Sequence, residues 1–339
     1  MHVVIRADGG PEIGYGHLVR SSALARAVLE DGHTVTFATT TPDHVREVCP
    51  ASVRTARLPA RGDPEPFVHW LDSASVDVVF SDAYPVTVEY QRAVRDIVPL
   101  AVWQDEARNA VCADAFFNGN LYAESLEYEF VGPRPSICLG TDYVLLRTEF
   151  TKLAARKPPW REDPERAIVT MGGSDVANHT PDVIRSFDGM DIRVDAIVGP
   201  GFSERQATEI HSAADTVSSD IRVVRDPPNL ADRMFQADFA VSTASTTTYE
   251  LLALGTPLVC LPVAENQEPI ACALKEQGAG LVLEDGGGVD AFRRAVQKYH
   301  SMTSFRRARL EAGRELVDGR GVARVYDEII SLVGSNPTV

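Results

Sequence analysis

Short apolar runs rich in Val, Ile and Phe alternate along this chain with stretches whose apolar positions recur three and four residues apart. The run HVVIR (2–6) leads to a helical stretch from Gly16, with Leu18, Ser21, Leu24, Ala25 and Val28 on one face. TVTFAT (34–39), SVRTARL (52–58), VDVVFSD (76–82) and PLAVWQD (99–105) follow, with helical patterns such as 86–97 between them. Strand-length runs separated by helices predict right-handed βαβ units on a parallel sheet.

The rhythm pauses at TKLAARKPPWREDPERA (151–167), where paired prolines and charges mark a linker. A second series begins at AIVTMGG (167–173) and continues through IRVDAIVG, DIRVVRD, DFAVSTA, TPLVCLP and AGLVLE, with helices predicted over 203–213, 246–254 and 267–277. The expected organisation is an N-terminal Rossmann-like domain (1–150), a linker (151–165), a second Rossmann-like domain (166–319) and a C-terminal helix and tail (320–339) able to pack back on the first. Two doubly wound parallel sheets are thus expected to face each other across a cleft.

Composition narrows the partners. At 339 residues and 44% hydrophobic content, the chain can bury two cores. Its net charge of -15 disfavours a nucleic-acid or membrane-surface partner. A small anionic substrate stays open, because local amides and Arg can oppose the overall field. Lys152, Lys157, Lys275 and Lys298 are the only lysines among 33 basic residues, a bias that suits either a saline cytoplasm or a GC-rich genome. The five cysteines are scattered and lack C-x-x-C spacing, which suits buried thiols in a reducing compartment. Residues 1–5 meet Arg6 and Asp8 at once, so a signal peptide is not expected there, and no later run reads as long and apolar enough to span a membrane. The expected location is cytoplasmic. The sequence does not indicate an oligomeric state.

Four strand-to-helix turns carry candidate chemistry. In Gly14-Tyr15-Gly16-His17-Leu18-Val19-Arg20, glycines admit a tight turn and the first helical amides can hold an anion. Val19 stands where a dinucleotide fingerprint needs its third glycine, which disfavours NAD. His17 and Arg20 fall one turn apart, aimed beyond the end of a strand, where Arg20 is expected to bind substrate. Gly172-Gly173-Ser174-Asp175 repeats the turn at the start of the second series. In STASTTTYELLALGTP (242–257), Ser245, Thr246 and Thr247 open a helix able to hold a diphosphate, and Glu250 follows where a carboxylate can accept ribose hydroxyls. An ordinary Ser/Thr cap is the plain alternative there. Asn266 and Gln267 in PVAENQ offer neutral donors and acceptors suited to sugar or amide groups. Asp82-Ala83-Tyr84 ends another strand and faces the same crevice, either as functional residues or as an ordinary strand end, while Asp105-Glu106 lacks the D-x-D pattern of a metal-dependent transferase. No metal-ligand set and no cofactor are expected.

Taken in order, R-A-D-x-x-x-x-I-G-x-G-H-x-x-R, LGTDYVLLRTEF (139–150), MGGSD, ASTTTYELLALG and NQ resemble the UDP-sugar hydrolase family of the pseudaminic-acid pathway. The resemblance covers nearly the full length. Its last two motifs are shared with GT-B glycosyltransferases of the MurG type, so it implies a GT-B fold and a UDP-sugar substrate. By that similarity His17 corresponds to the catalytic histidine and Tyr84 to a tyrosine near it, Asp8 of the same N-terminal motif is expected with them among the catalytic groups, and Gly14 and Gly16 of that motif are expected at the substrate. Ser245, Thr246 and Glu250 would hold pyrophosphate and ribose, with Asn266 and Gln267 near the sugar. The chain departs from the family at Gly9-Gly10-Pro11, where small hydroxyl residues are usual. The expected reaction is metal-independent hydrolysis of the glycosyl C–O bond with inversion, His17 activating water. The alternatives are a GT-B glycosyltransferase with the same donor site, or a non-catalytic nucleotide-sugar sensor.

Overall fold

The computed structural model describes residues 1–284 and 286–334, and the tail from 335 to 339 lies outside the described residues. The chain divides into two compact units, one of Met1–Thr148 with the segment from Arg320, the other of Glu149–Gly319.

The first unit is built on seven strands: β1 (His2–Ala7), β2 (Thr34–Thr39), β3 (Arg54–Arg57), β4 (Val78–Asp82), β5 (Leu100–Trp103), β6 (Ala115–Asn118) and β7 (Ser136–Leu139). They pair in parallel in the order β3-β2-β1-β4-β5-β6-β7. Period-two alternation sends Val3 and Ile5 to one face and Val4 to the other, and both faces are buried. The helix Gly16–Glu30 covers the first face with Leu18, Leu24, Ala25 and Val28. The helix Gly321–Gly334 packs there too, through Val325 and Ile329. β5, β6 and β7 follow one another with no α-helix between them, so the helical crossovers expected throughout stop at Val88–Arg95.

The second unit has β8 (Arg166–Thr170), β9 (Arg193–Val198), β10 (Asp220–Arg225), β11 (Phe239–Thr243), β12 (Leu258–Leu261) and β13 (Gly280–Val282). These are again all parallel, in the order β10-β9-β8-β11-β12-β13. The stretch expected to be a linker has more structure than its prolines suggest. Residues 151–154 belong to the helix Thr148–Ala154, whose Phe150 and Leu153 are buried. Farther on, the buried guanidinium of Arg306 donates to the Glu162 carbonyl at 2.8 Å and lies 4.8 Å from the Trp160 ring, which ties the segment to its own unit.

In each unit the strand order reverses beside the first strand, between β1 and β4 and again between β8 and β11. Connections there leave for opposite faces of the sheet, and a crevice opens at the carboxyl ends of the two strands.

Candidate active site and nucleotide-binding turns

In the first unit the chain leaves β1 through a narrow hairpin. The Gly10 and Gly14 backbones bond each other, with the Gly14 N–H donating to the Gly10 carbonyl at 2.7 Å, and Gly14 has φ 86°, a left-handed conformation that favours glycine. Gly16 opens the helix with ordinary backbone angles. A Cβ at Gly14 or Gly16 would meet nothing within 4 Å, so both glycines leave the helix start uncovered. Tyr15 at the cap position supplies no side-chain bond to the first-turn amides.

His17 is the second residue of that helix, and Asp82 ends the neighbouring strand, opposite Ala7 in the register of β1 and β4. The two straddle the switch point, and His17 Nδ1 lies 2.6 Å from Asp82 Oδ1. Burial works to raise the Asp82 pKa, but the Arg20 guanidinium and His17 outweigh it and hold the carboxyl well below the usual range. An ionised carboxylate only accepts, so Nδ1 carries the proton and donates it. Arg20 Nη2 also comes within 2.9 Å of Nδ1, but a guanidinium only donates, so this second approach is no hydrogen bond. In the neutral ring Nε2 is then the basic nitrogen.

Arg20, expected in substrate binding, lines the same cavity as His17, and its guanidinium is engaged by two carboxylates. Its Nε donates to Asp82 at 2.6 Å, its Nη2 also bonds Asp82, and its Nη1 reaches both oxygens of Asp105 at 2.9 and 2.8 Å. Asp105 is fixed in turn by Trp103 Nε1 at 3.0 Å and Asn120 Nδ2 at 3.1 Å. Tyr84 stands over this group. Its ring meets the His17 ring edge-on at 4.6 Å, and its hydroxyl lies 3.5 Å from Asp105. Burial, with Asp105 adding to it, pushes the Tyr84 phenol up to about 12, so it stays a neutral donor.

Asp8, expected among the catalytic groups, is committed elsewhere. Its buried carboxylate pairs with Arg6 at 2.8 Å and accepts from Thr39 Oγ1 at 3.0 Å and from the Thr40 amide at 2.7 Å. None of these bonds reaches His17. Asp8 ties the β1 exit to the β2 exit. The structure thus brings His17, Tyr84 and Arg20 together and leaves Asp8 apart. Asp82, a crevice candidate to which the sequence assigns no definite role, and Asp105, to which it assigns none, link the group.

In the second unit Gly172 follows β8 with φ 79°, and a Cβ there would lie 3.8 Å from Thr243 Oγ1 at the end of β11. The turns after β8 and β11 therefore adjoin at that unit's switch point. Gly173 leaves open space, and its carbonyl accepts from the Gly201 amide at 2.9 Å. A Cβ at Gly199 would sit 2.7 Å from the same carbonyl, so Gly199 permits this close approach, a role the sequence reading did not assign. Ser245 caps the helix Thr246–Leu254 by accepting from the Thr247 amide at 3.3 Å, and Thr248 returns a bond to the Ser245 amide. Thr246 is exposed, while Thr247 and Glu250 are buried. Asn266 is exposed in the short turn Glu265–Gln267. The Gln267 side-chain Oε1 accepts from the Val263 amide at 3.0 Å, which stabilises the exit from β12.

Among the described residues no three His, Cys, Asp or Glu side chains form a group able to hold a metal ion, and no helix is long and apolar enough to cross a membrane.

No family model matches the chain. It is 27% identical over 335 residues to the spore coat polysaccharide biosynthesis protein SpsG of Bacillus subtilis, covering 96% of each. It is 24% identical over 297 residues to the UDP-2,4-diacetamido-2,4,6-trideoxy-beta-L-altropyranose hydrolase of Campylobacter jejuni, covering 82% of this chain and 97% of that protein. This second relative is a hydrolase of the kind the motifs resemble. Among solved structures, MurG of Acinetobacter baumannii matches with a TM-score of 0.71 at 13% identity, covering 97% of this chain and 99% of that one. The calicheamicin glycosyltransferase CalG4 matches at 0.67 and 16% identity, covering 99% of both. The fold is GT-B, with two Rossmann-like parallel-sheet units.

Proposed function

We propose that this protein is a nucleotide-sugar hydrolase. It would cleave the glycosyl C–O bond of a UDP-linked diacetamido-trideoxy sugar and release free sugar and UDP. The observation that carries this reading is the buried Asp82–His17 pair at the β1–β4 switch point, which leaves Nε2 as the proton acceptor. His17, Asp82, Tyr84 and Asp105 line a cavity of about 10 Å³, room for roughly one water. In the reaction, Nε2 takes a proton from water as the oxygen bonds the anomeric carbon from the face opposite UDP. The bond from that carbon to the β-phosphate oxygen breaks, and its electron pair leaves with UDP. Inversion follows from the direction of attack.

The second unit would hold the nucleotide. The turn after β8 and the capped helix start at Ser245–Thr247 offer amides and hydroxyls to the pyrophosphate, and Glu250 offers a carboxylate to the ribose. The name of the Campylobacter relative supports the choice of sugar, and the motif resemblance supports a place in nonulosonic-acid synthesis. The transferase names of the fold neighbours support a second reading, transfer from the same donor to an acceptor. Incubating the protein with a panel of UDP-sugars and following UDP separates the two. Release without acceptor supports hydrolysis, and release only once an acceptor is supplied supports transfer.

A further inference from the structure

A guanidinium near an anion-binding crevice usually serves the anion. Arg20 is instead enclosed, with Asp82 on one edge, Asp105 on the other and the Trp103 ring 5.2 Å from its centre. Its remaining N–H points at His17 Nδ1, which already carries a proton. We infer that Arg20, backed by Asp105, is a positioning residue that sets both the orientation and the proton affinity of His17 and does not bind substrate. This rests on the reading of His17 as the base.

The orientation follows from the bonds. Arg20 holds both oxygens of Asp82, and the Ser21 hydroxyl adds a third contact at 3.2 Å, so the carboxylate cannot turn away from Nδ1. Asp105 cannot follow a displaced Arg20, because Trp103 and Asn120 pin it. The proton affinity follows from the charges that face the ring. The histidine's own helix supplies Arg20 and β4 supplies Asp82. The loop after β4 supplies Tyr84, a neutral phenol. The loop after β5 supplies Asp105, and beyond Tyr84 it supplies Glu106 and Arg108, which pair with each other at 2.6 Å. Asp82, Arg20 and Asp105 together leave one net negative charge behind the imidazole. Removing the Arg20 charge leaves two and favours the imidazolium. Removing the Asp105 charge leaves none and disfavours it.

The two substitutions therefore act in opposite directions, which general damage to packing would not do. The test uses the full chain labelled with ¹⁵N-histidine, with His17→Gln identifying the His17 signals. Arg20→Gln should move the His17 titration to higher pH and Asp105→Asn to lower pH, each by about one unit. The acid limb of kcat for UDP release should follow in each case, with KM changing far less than kcat. Titrations that do not move, or that move in the same direction, overturn the inference. Weaker UDP binding in folded Arg20→Gln overturns it as well, since it would make Arg20 an anion ligand. Should Arg20→Gln fail to fold, Asp105→Asn decides alone, and an unmoved or raised titration counts against. The ring titration is read without turnover. Opposite shifts in a chain that hydrolyses no UDP-sugar would sustain the role of Arg20 while removing the hydrolase reading.

Discussion

His17 Nδ1 and Asp82 Oδ1 lie 2.6 Å apart although 65 residues separate them in the chain. The contact exists because β1 and β4 are neighbours in the sheet, so a helix leaving one strand meets the last residue of the other. It also chooses the tautomer of the histidine. Asp82→Asn keeps the shape but lets the amide donate to Nδ1, which moves the ring proton to Nε2 and removes the base. Turnover is expected to fall by about 10²–10⁴, the range for one acid–base group, with KM nearly unchanged. Steady-state kinetics on the folded variant check this, and a loss confined to KM would contradict it.

Nucleotide affinity should depend on the second unit. Glu250 is buried in the helix Thr246–Leu254, behind the Ser245 cap. Glu250→Ala is expected to weaken UDP binding by about 1–3 kcal/mol, the usual cost of a charge-assisted hydrogen bond. Calorimetry on a folded variant with unchanged affinity would remove Glu250 from the site.

Much of this arrangement was legible from periodicity. The helix Gly16–Glu30 buries the face that Leu18, Ser21, Leu24, Ala25 and Val28 mark out, and TVTFAT forms β2 over the positions its pattern occupies. β6 and β7 escaped because no α-helix announces a crossover after β5, and a four-residue strand has little pattern of its own. The site was legible in one half only. A histidine at a helix start after a glycine turn shows in the local sequence. Whether a nearby Arg faces a ligand or is consumed by carboxylates depends on which strands pair, and that is a long-range property. The sequence therefore places Arg20 at the substrate and Asp82 at the crevice without showing the bonds between them, and it gives no sign of Asp105 as the second partner. The bonds of Asp8 were hidden for the same reason, since Thr39 ends β2, Thr40 follows it and Arg61 lies beyond β3.

Asp8 should matter for stability in acid. Burial opposes its charge, but Arg6 and the bonds from Thr40 outweigh burial and lower its pKa from the ordinary 3.8. A carboxyl with a lowered folded pKa stabilises fully above its unfolded value, and that contribution fades as pH falls from 3.8 through the folded value. Asp8→Asn leaves Arg6 buried without its partner and is expected to cost about 3–5 kcal/mol at neutral pH. The difference in unfolding free energy between the two proteins should shrink below pH 3.8. Denaturant melts across that range check it, and a gap that widens in acid would contradict the assignment.

UDP release should not need a divalent ion. The carboxylates that line the cavity are all paired, Asp82 and Asp105 with Arg20 and Glu106 with Arg108, so none offers a cation its full set of oxygens. Activity is expected to survive EDTA unchanged. A loss that added metal restores would mean that Arg20 gives way and that one of these carboxylates is a ligand.

The point of attack can be read from isotope placement. If His17 delivers water to the anomeric carbon, reaction in heavy-oxygen water puts the label on the released sugar and none on UDP. Attack at the β-phosphorus would give the reverse, because the bond from carbon to oxygen would then survive. Mass spectrometry of both products distinguishes these routes in a single turnover. His17→Asn should slow labelled-sugar formation by about 10²–10⁴ without moving the label, since it removes the proton acceptor and leaves the electrophile in place. Label appearing in UDP would end the assignment of His17 as a base for attack at carbon. A near-normal rate in the folded variant would end it equally, because the water would then need no help from the imidazole that Asp82 holds in place.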